Sequence, residues 1–248
     1  MNLSKEISLA IKAALESGKL LKDNKSNLNK ISSSEDRDTK LLADIMSEEK
    51  IKEIISNDSD YEILAEESGQ SSNNLGDIFW VIDPLDGTAN YNRDIPVCCI
   101  SIGMIKNEEP LLGVIYDFYN NNLYVGDCEN GIATLNEKPI QVSNVTRKDK
   151  GVLLTGLPIK TDLSDEALQK MIIDIQLWKK TRMIGSAAMA SCYVACGKAD
   201  LYKENGIYLW DIIAGAAIVK SAGGVAEIKN IKSNFQVDVI FKNAKIKD

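Results

Sequence analysis

Val81-Ile82-Asp83-Pro84-Leu85-Asp86-Gly87-Thr88-Ala89-Asn90-Tyr91 is the stretch around which the chain is organised. Ile78 to Ile82 is a short apolar run of β-branched and aromatic residues, which predicts a buried strand. It leads into two carboxylates three residues apart, Asp83 and Asp86, with Pro84 between them. Carboxylates are hard oxygen ligands of the kind Mg²⁺ takes. Gly87-Thr88 follows, and a helix opening after Gly87 would offer unpaired backbone N–H groups to an anion. Strand, paired carboxylates and helix start together suit a divalent metal beside a phosphate. The same residues also suit a plain turn that caps a helix, because Asp, Pro and Gly are common turn formers. The stretch alone leaves both readings open, and the rest of the chain must supply further ligands.

Length and composition narrow the chemistry. The 248 residues are enough for a large core, as one domain or two joined halves. Hydrophobic residues make up 44% and charged residues 26%, the ordinary balance of a globular chain. The net charge of −7 argues against coating a nucleic-acid polymer or an anionic membrane. A small phosphorylated substrate remains compatible, because a bound metal ion supplies local positive charge. There is no histidine, which removes Ser-His-Asp and Cys-His catalysis, His-ligated zinc and imidazole bases. Carboxylates, hydroxyls, amines and metal are left to do any chemistry. Cys98, Cys99, Cys128, Cys192 and Cys196 are odd in number and contain no Cys-x-x-Cys pair, and the start does not read as a secretory signal. A reducing cytoplasm is the expectation. Cys192 and Cys196 share a helix face if that segment is helical, and read as small buried hydrophobes. No apolar run reaches membrane-spanning length.

Working outward from the central stretch, apolar residues at helical spacing predict a helix over 3–22 and a second from about Asp38 to Ile55, with a polar loop or strand pair between them. Asp44 lies in the second helix, flanked by Leu42, Ala43 and Ile45; it is either solvated or an inward-pointing functional carboxylate. Tyr61 to Ala65 reads as a strand ending in Glu66-Glu67-Ser68-Gly69. If that strand lies beside the central one, Glu66 and Asp83 converge; otherwise Glu66-Glu67 is an exposed acidic turn. Short strands over 97–105, 110–116, 123–125 and a hairpin within 126–140 predict an antiparallel sheet. From Gln141 strands and helices alternate, the pattern of an α/β half. Helices are predicted over 165–178, from 185 to about 196 and over 210–221, with strands at 152–156, 181–184, 201–202, 225–227 and 237–241.

Taken in order and at this spacing, the residues resemble the inositol monophosphatase family of metal-dependent phosphatases over essentially the whole chain. The resemblance is carried by Asp83-Pro84-Leu85-Asp86-Gly87-Thr88, Trp210-Asp211-Ile212-Ile213-Ala214-Gly215 and Ala222-Gly223-Gly224, with Glu66-Glu67-Ser68 upstream and Gly185-Ser186-Ala187-Ala188 between. It implies a layered α/β/α/β/α sandwich. An N-terminal α+β half, 1–140, would carry the antiparallel sheet and most metal ligands. A C-terminal α/β half, 141–248, would add the last metal aspartate and substrate contacts, packed with the first as one unit.

The resemblance further implies two or three Mg²⁺ ions. Glu66, Asp83 and the carbonyl of Leu85 would hold the first, and Asp83, Asp86 and Asp211 the second; a loosely held third would lie near Glu66. Asp44 and Thr88, with Glu66, would orient and deprotonate the attacking water. The amides of Gly87 and Thr88 would hold the phosphate, and Ala89, Gly185, Ser186, Ala188 and Glu204 would contact the substrate. A homodimer and lithium sensitivity are expectations of the same kind. The chemistry agrees: two cations roughly 3.5–4 Å apart neutralise a phosphate monoester, acidify water and stabilise the leaving oxygen, without a histidine.

The chain departs from the family pattern in places. Leu41 and Leu42 stand where members often have a threonine, and the polar stretch 26–38 lacks the usual Lys-x-Asp pattern of a loop that covers the site and helps hold the third ion. The expected activity is hydrolysis of a small polyol or sugar monophosphate. The alternative is a 3′(2′),5′-bisphosphate nucleotidase, for which Lys179, Lys180 and Arg182 are candidate cations, or else a solvated helix end. A binding module that kept the fold without the chemistry would be expected to have lost part of the set Asp44, Glu66, Asp83, Asp86, Thr88 and Asp211, all of which are present.

Overall fold

Apolar residues at three- and four-residue spacing wind into α1 (Ser4–Asp23), which buries Leu9, Ala10, Ala13, Ala14 and Leu21 along one face. The structure, a computed structural model, describes residues 3–35, 38–157 and 162–247. The short α2 (Lys25–Leu28) leads to a hairpin of β1 (Ile31–Glu35) and β2 (Asp38–Leu41), and α3 (Leu42–Asp58) follows. The polar stretch is therefore a strand pair, and the second helix starts four residues later than its periodicity suggests. The Asp44 carboxylate sets the start by accepting the N–H of extended Leu41 at 2.6 Å, one of the donors a helix start leaves unpaired. Residues 36 and 37, within the stretch expected to cover the site, lie outside the described residues.

The larger sheet contains β3 (Ile63–Ala65), β4 (Gly69–Gln70), β5 (Ile78–Asp86), β6 (Cys99–Lys106), β7 (Glu109–Asp117), β8 (Asn122–Asp127), β9 (Ile132–Leu135) and β10 (Lys138–Pro139), in the order β10-β9-β8-β7-β6-β5-β3-β4. Its neighbours are antiparallel except β3 and β5, which run parallel. α4 (Thr88–Asn92) leaves the end of β5. β5 does not stop at Ile82: it continues to Asp86, with its register against β6 broken between Asp83 and Asp86. Pro84 lies inside the break, where its missing N–H costs no ladder bond.

The smaller sheet has the order β12-β11-β13-β15-β14. It is made of β11 (Val152–Thr155), β12 (Lys180–Arg182), β13 (Leu201–Tyr208), β14 (Val225–Lys229) and β15 (Gln236–Lys242). α5 (Asp165–Gln176), α6 (Ala187–Ala195) and α7 (Leu209–Ser221) connect these strands. β11 pairs parallel with β12 and β13, whereas β15 is antiparallel to β13 and β14, so the sheet is mixed. β13 is much longer than the apolar pair Leu201-Tyr202 suggests, because β15 pairs with it through the polar residues as far as Tyr208.

The layers run α1/α3, large sheet, α6/α7, small sheet, α5. One core joins α1 and α3 to the large sheet through Leu9, Ile51, Ile55, Trp80 and Ile102. The second lies between the sheets and holds α6 and α7. The outer layer is slight: α5 buries no residue fully, and Ile175 alone among its residues joins the small cluster of Leu153, Trp178, Leu201 and Ile246. α7 approaches the large sheet where β7 offers no side chain: a Cβ on Gly113 would stand 2.1 Å from the Ala214 carbonyl oxygen. That contact lays α7 flat on the sheet with its N-terminus toward the carboxylates of β5. Among the described residues no helix is long and apolar enough to cross a membrane.

Candidate active site

The carboxylates are delivered by regular elements: Glu66 follows β3, Asp83 and Asp86 lie in the last four residues of β5, Asp44 and Asp211 in the first turns of α3 and α7, and Glu204 within β13. β3 and β5 run parallel with Ala65 opposite Ile82, so Glu66 and Asp83 leave neighbouring strands side by side, and the Glu66 N–H bonds to the Ile82 carbonyl at 3.1 Å. Asp83 is 2% exposed and accepts the Leu85 N–H at 2.9 Å. Gly87 turns the chain out of β5 with φ of 88°, and a Cβ there would meet the Val97 carbonyl oxygen at 2.8 Å, so only glycine fits. Thr88 then places its hydroxyl 2.8 Å from Asp44 Oδ1 and 3.0 Å from the Leu85 carbonyl.

Asp44 and Asp211 use the same device. Each is the third residue of its helix and accepts the N–H of the residue preceding that helix, Leu41 at 2.6 Å and Tyr208 at 2.8 Å. Asp86 is tied to the second half of the chain: its Oδ2 accepts the Ser186 hydroxyl and the Ala188 N–H, both at 2.6 Å. Ser186 in turn caps α6 by accepting the Met189 N–H. Glu204, on β13, accepts the Tyr202 hydroxyl at 2.9 Å.

Glu66, Asp83, Asp86, Glu204 and Asp211 all line one cleft of about 750 Å³, and among the described residues no Lys or Arg lines it. Burial pushes Glu66, Asp83 and Asp211 well above the usual carboxylate range, with neighbouring carboxylates adding to the effect. Burial raises Asp86 to about 6, against its bonds to Ser186 and Ala188, and raises Asp44 and Glu204 to about 7. A cleft crowded with anions and lined by oxygen donors fits hard divalent cations, which would relieve the repulsion. Asp83, Asp86 and Asp211 each turn one oxygen toward a protein donor, which fixes the carboxylate plane. Among the described residues no three Asp, Glu or Cys groups are gathered into a ready ligand set.

A sequence model of the inositol monophosphatase family matches residues 2–234. The chain belongs to the inositol monophosphatase family. It is 41% identical over 185 residues to an inositol-1-monophosphatase of Synechocystis sp., a match covering 74% of this chain and 64% of that relative. The chain thus spans less than two thirds of that relative's length. A fructose-1,6-bisphosphatase/inositol-1-monophosphatase of Aquifex aeolicus is 37% identical over 229 residues, covering 90% of this chain and 86% of the relative. Among solved structures, an inositol monophosphatase from Anabaena sp. superposes with a TM-score of 0.84 at 33% identity, covering 99% of this chain and 93% of that one.

Within this family member, the residues expected from sequence fall in different places. Leu85, Gly87, Thr88, Gly185 and Ser186 line the cleft with the five carboxylates. Asp44 is 1% exposed and stands behind Thr88, so the solvated alternative does not hold for it. Ala188 is fully buried and is not in the cleft wall. α6 instead presents Ala187 and Ala190, three residues apart on one face, while Ala188 faces the core and offers its backbone N–H to Asp86. Ala89 is exposed and off the cleft lining, the second residue of α4 pointing outward. Lys179, Lys180 and Arg182 are exposed and do not line the cleft.

Sequence reading also missed Tyr202, Tyr208 and Gly156. Strand alternation placed Tyr202 on the same face as Glu204, a usable signal once β13 is read as long enough. Tyr208 lines the cleft with its ring stacked on Trp210, centroids 4.6 Å apart and planes within 5°. Gly156 makes room for Glu204, since a Cβ there would stand 2.5 Å from the carboxylate oxygens. That contact has no sequence signature.

Proposed function

We propose that the chain is a Mg²⁺-dependent phosphate monoester hydrolase acting on a small polyol or sugar monophosphate. The observation that carries this is the complete carboxylate set around one cleft, with the Thr88–Asp44 pair beside it. Glu66, Asp83, Asp86, Asp211 and the Leu85 carbonyl would hold the ions. When bound, Mg²⁺ neutralises the phosphate, acidifies the attacking water and stabilises the leaving oxygen. The chain's own residues supply the proton path and the grip on substrate. Thr88 Oγ1 already donates to Asp44 Oδ1, so a water proton taken up by Thr88 Oγ1 displaces the hydroxyl proton onto Asp44. A carboxyl raised to about 7 suits a general base at neutral pH. The backbone N–H groups of Gly87 and Thr88 are the proposed phosphate contacts.

Glu204 is the proposed acceptor for a substrate hydroxyl. The Glu204 carboxylate in the lining favours a polyol, since it suits a substrate hydroxyl and repels a second phosphate. The second reading, a bisphosphate nucleotidase, has one observation in its favour: the Tyr208 ring in the cleft, backed by Trp210, offers a face on which a base could stack. Phosphate release with Mg²⁺ should be compared for inositol 1-phosphate, fructose 1,6-bisphosphate, histidinol phosphate and 3′-phosphoadenosine 5′-phosphate. Inositol 1-phosphate, the polyol monophosphate of the set, is expected to lead. A nucleotide preference above roughly 100-fold, about 2.7 kcal/mol, would overturn this order. The same reading takes 1–140 and 141–248 as one working unit, in a cytoplasmic, lithium-sensitive homodimer.

A further inference from the structure

One face of α3 carries three polar residues in succession, Asp44, Ser47 and Glu48, at the i, i+3, i+4 spacing of a single stripe. Asp44 accepts from Thr88, and the Ser47 hydroxyl donates to the Pro84 carbonyl at 2.7 Å, so both grip the segment that follows Asp83. Glu48 grips a different segment. It is 4% exposed, and its two oxygens accept successive backbone amides, Glu67 N–H at 2.8 Å and Ser68 N–H at 3.1 Å. Lys52 stands 3.9 Å from the same carboxylate and donates to the Ser68 hydroxyl at 2.8 Å. A carboxylate is taken out of water at this cost only where charge-assisted bonds replace its hydration.

The turn that Glu48 holds is the one that presents Glu66. It joins β3 to β4, whose pairing is only Leu64 with Gln70 and Ala65 with Gly69. Two residue pairs are a weak clamp for a turn. On the upstream side Glu66 is fixed by its N–H bond to Ile82; on the downstream side the two amides bound by Glu48 hold the backbone. We propose that Glu48 is a positioning residue, which clamps the Glu66–Ser68 turn and so aims the Glu66 carboxylate into the cleft beside Asp83. This rests on reading the cleft as a Mg²⁺ site.

The test is Mg²⁺ binding by isothermal titration calorimetry on the full chain stripped with a chelator, for the unmodified protein, Glu48→Ala, Glu48→Gln and Ile51→Val. Glu48→Ala should weaken Mg²⁺ binding about 10–100-fold, the usual effect of losing a residue that orients a metal ligand, with kcat at saturating Mg²⁺ changed only a few-fold. Glu48→Gln keeps the shape and one acceptor oxygen, so it folds even if the alanine variant does not, and should fall between. Ile51→Val, buried on the same helix, should lower Tm and leave Mg²⁺ affinity unchanged. Unaltered Mg²⁺ affinity in both Glu48 variants, whatever their Tm, overturns the positioning role alone. Absence of Mg²⁺ binding by the unmodified protein overturns that role together with the reading of the cleft.

Discussion

Glu204 illustrates what a single buried carboxyl costs. Its pKa is raised from the ordinary 4.5 to about 7 by burial, so the unfolded chain releases this proton first as pH rises. Its contribution therefore turns unfavourable from about pH 4.5, and the loss is complete above about pH 7. Glu204→Gln removes that cost while keeping an acceptor for the Tyr202 hydroxyl. In metal-free protein it should raise stability at pH 8 by up to about 3 kcal/mol and flatten the fall in Tm between pH 5 and 8. An equal slope in both proteins would show that Glu204 ionises freely in the folded state. The same substitution should raise KM for a polyol monophosphate, since the hydroxyl acceptor loses its charge. At this scale the sequence announces which residues matter better than what each touches. Asp83 and Asp86 stand out as a pair beside a glycine. Asp44 does not, because its partner Thr88 lies 44 residues away and only the fold reveals that it is buried.

The elements show where local pattern suffices and where tertiary pairing overrides it. α1 is legible from its apolar spacing, and α7 from its run of small and apolar residues closed by Ala222-Gly223-Gly224. The start of α3 is not, because hairpin pairing claims Asp38 to Leu41 and the Asp44 cap fixes the first turn. β5 runs beyond its apolar run because β6 pairs past the break at Pro84. β13 extends through polar residues because one of its faces is the cleft wall and β15 pairs with it as far as Tyr208. The glycines of the large sheet belong to this scale as well. Gly113 has no turn to make and no left-handed angle; it is there because α7 lies where its side chain would be. Gly113→Ala should push α7 off the sheet at a cost of about 3 kcal/mol, a Tm drop of roughly 6–12 °C for a chain of this size. A Tm within about 2 °C of the unmodified protein would mean that the helix yields freely and does not fix Asp211.

For the whole molecule, the site exists only because the two sheets and the helices between them are assembled. Glu66, Asp83 and Asp86 come from the large sheet, Asp211 from the helix layer and Glu204 from the small sheet. The Asp86 bonds to Ser186 and Ala188 tie the halves together at that point. The layered architecture was legible from the order of elements and the family resemblance, whereas the detailed walls of the cleft were not, since Ala187, Ala190 and Gly156 reach it through packing alone. The central claim is that this anionic cleft is the seat of Mg²⁺-dependent phosphate hydrolysis, and Asp83, buried among three other carboxylates, is its pivot. Asp83→Asn keeps the shape and relieves repulsion, so the metal-free variant should be at least as stable as the unmodified protein. The decisive measurement is phosphate release from inositol 1-phosphate against Mg²⁺ concentration, with Tm recorded on the same samples. The account predicts Mg²⁺-dependent turnover and a Mg²⁺-induced rise in Tm for the unmodified protein, and for Asp83→Asn a loss of about 10³-fold or more in turnover with the folded state intact. Turnover by Asp83→Asn at the unmodified rate would contradict it.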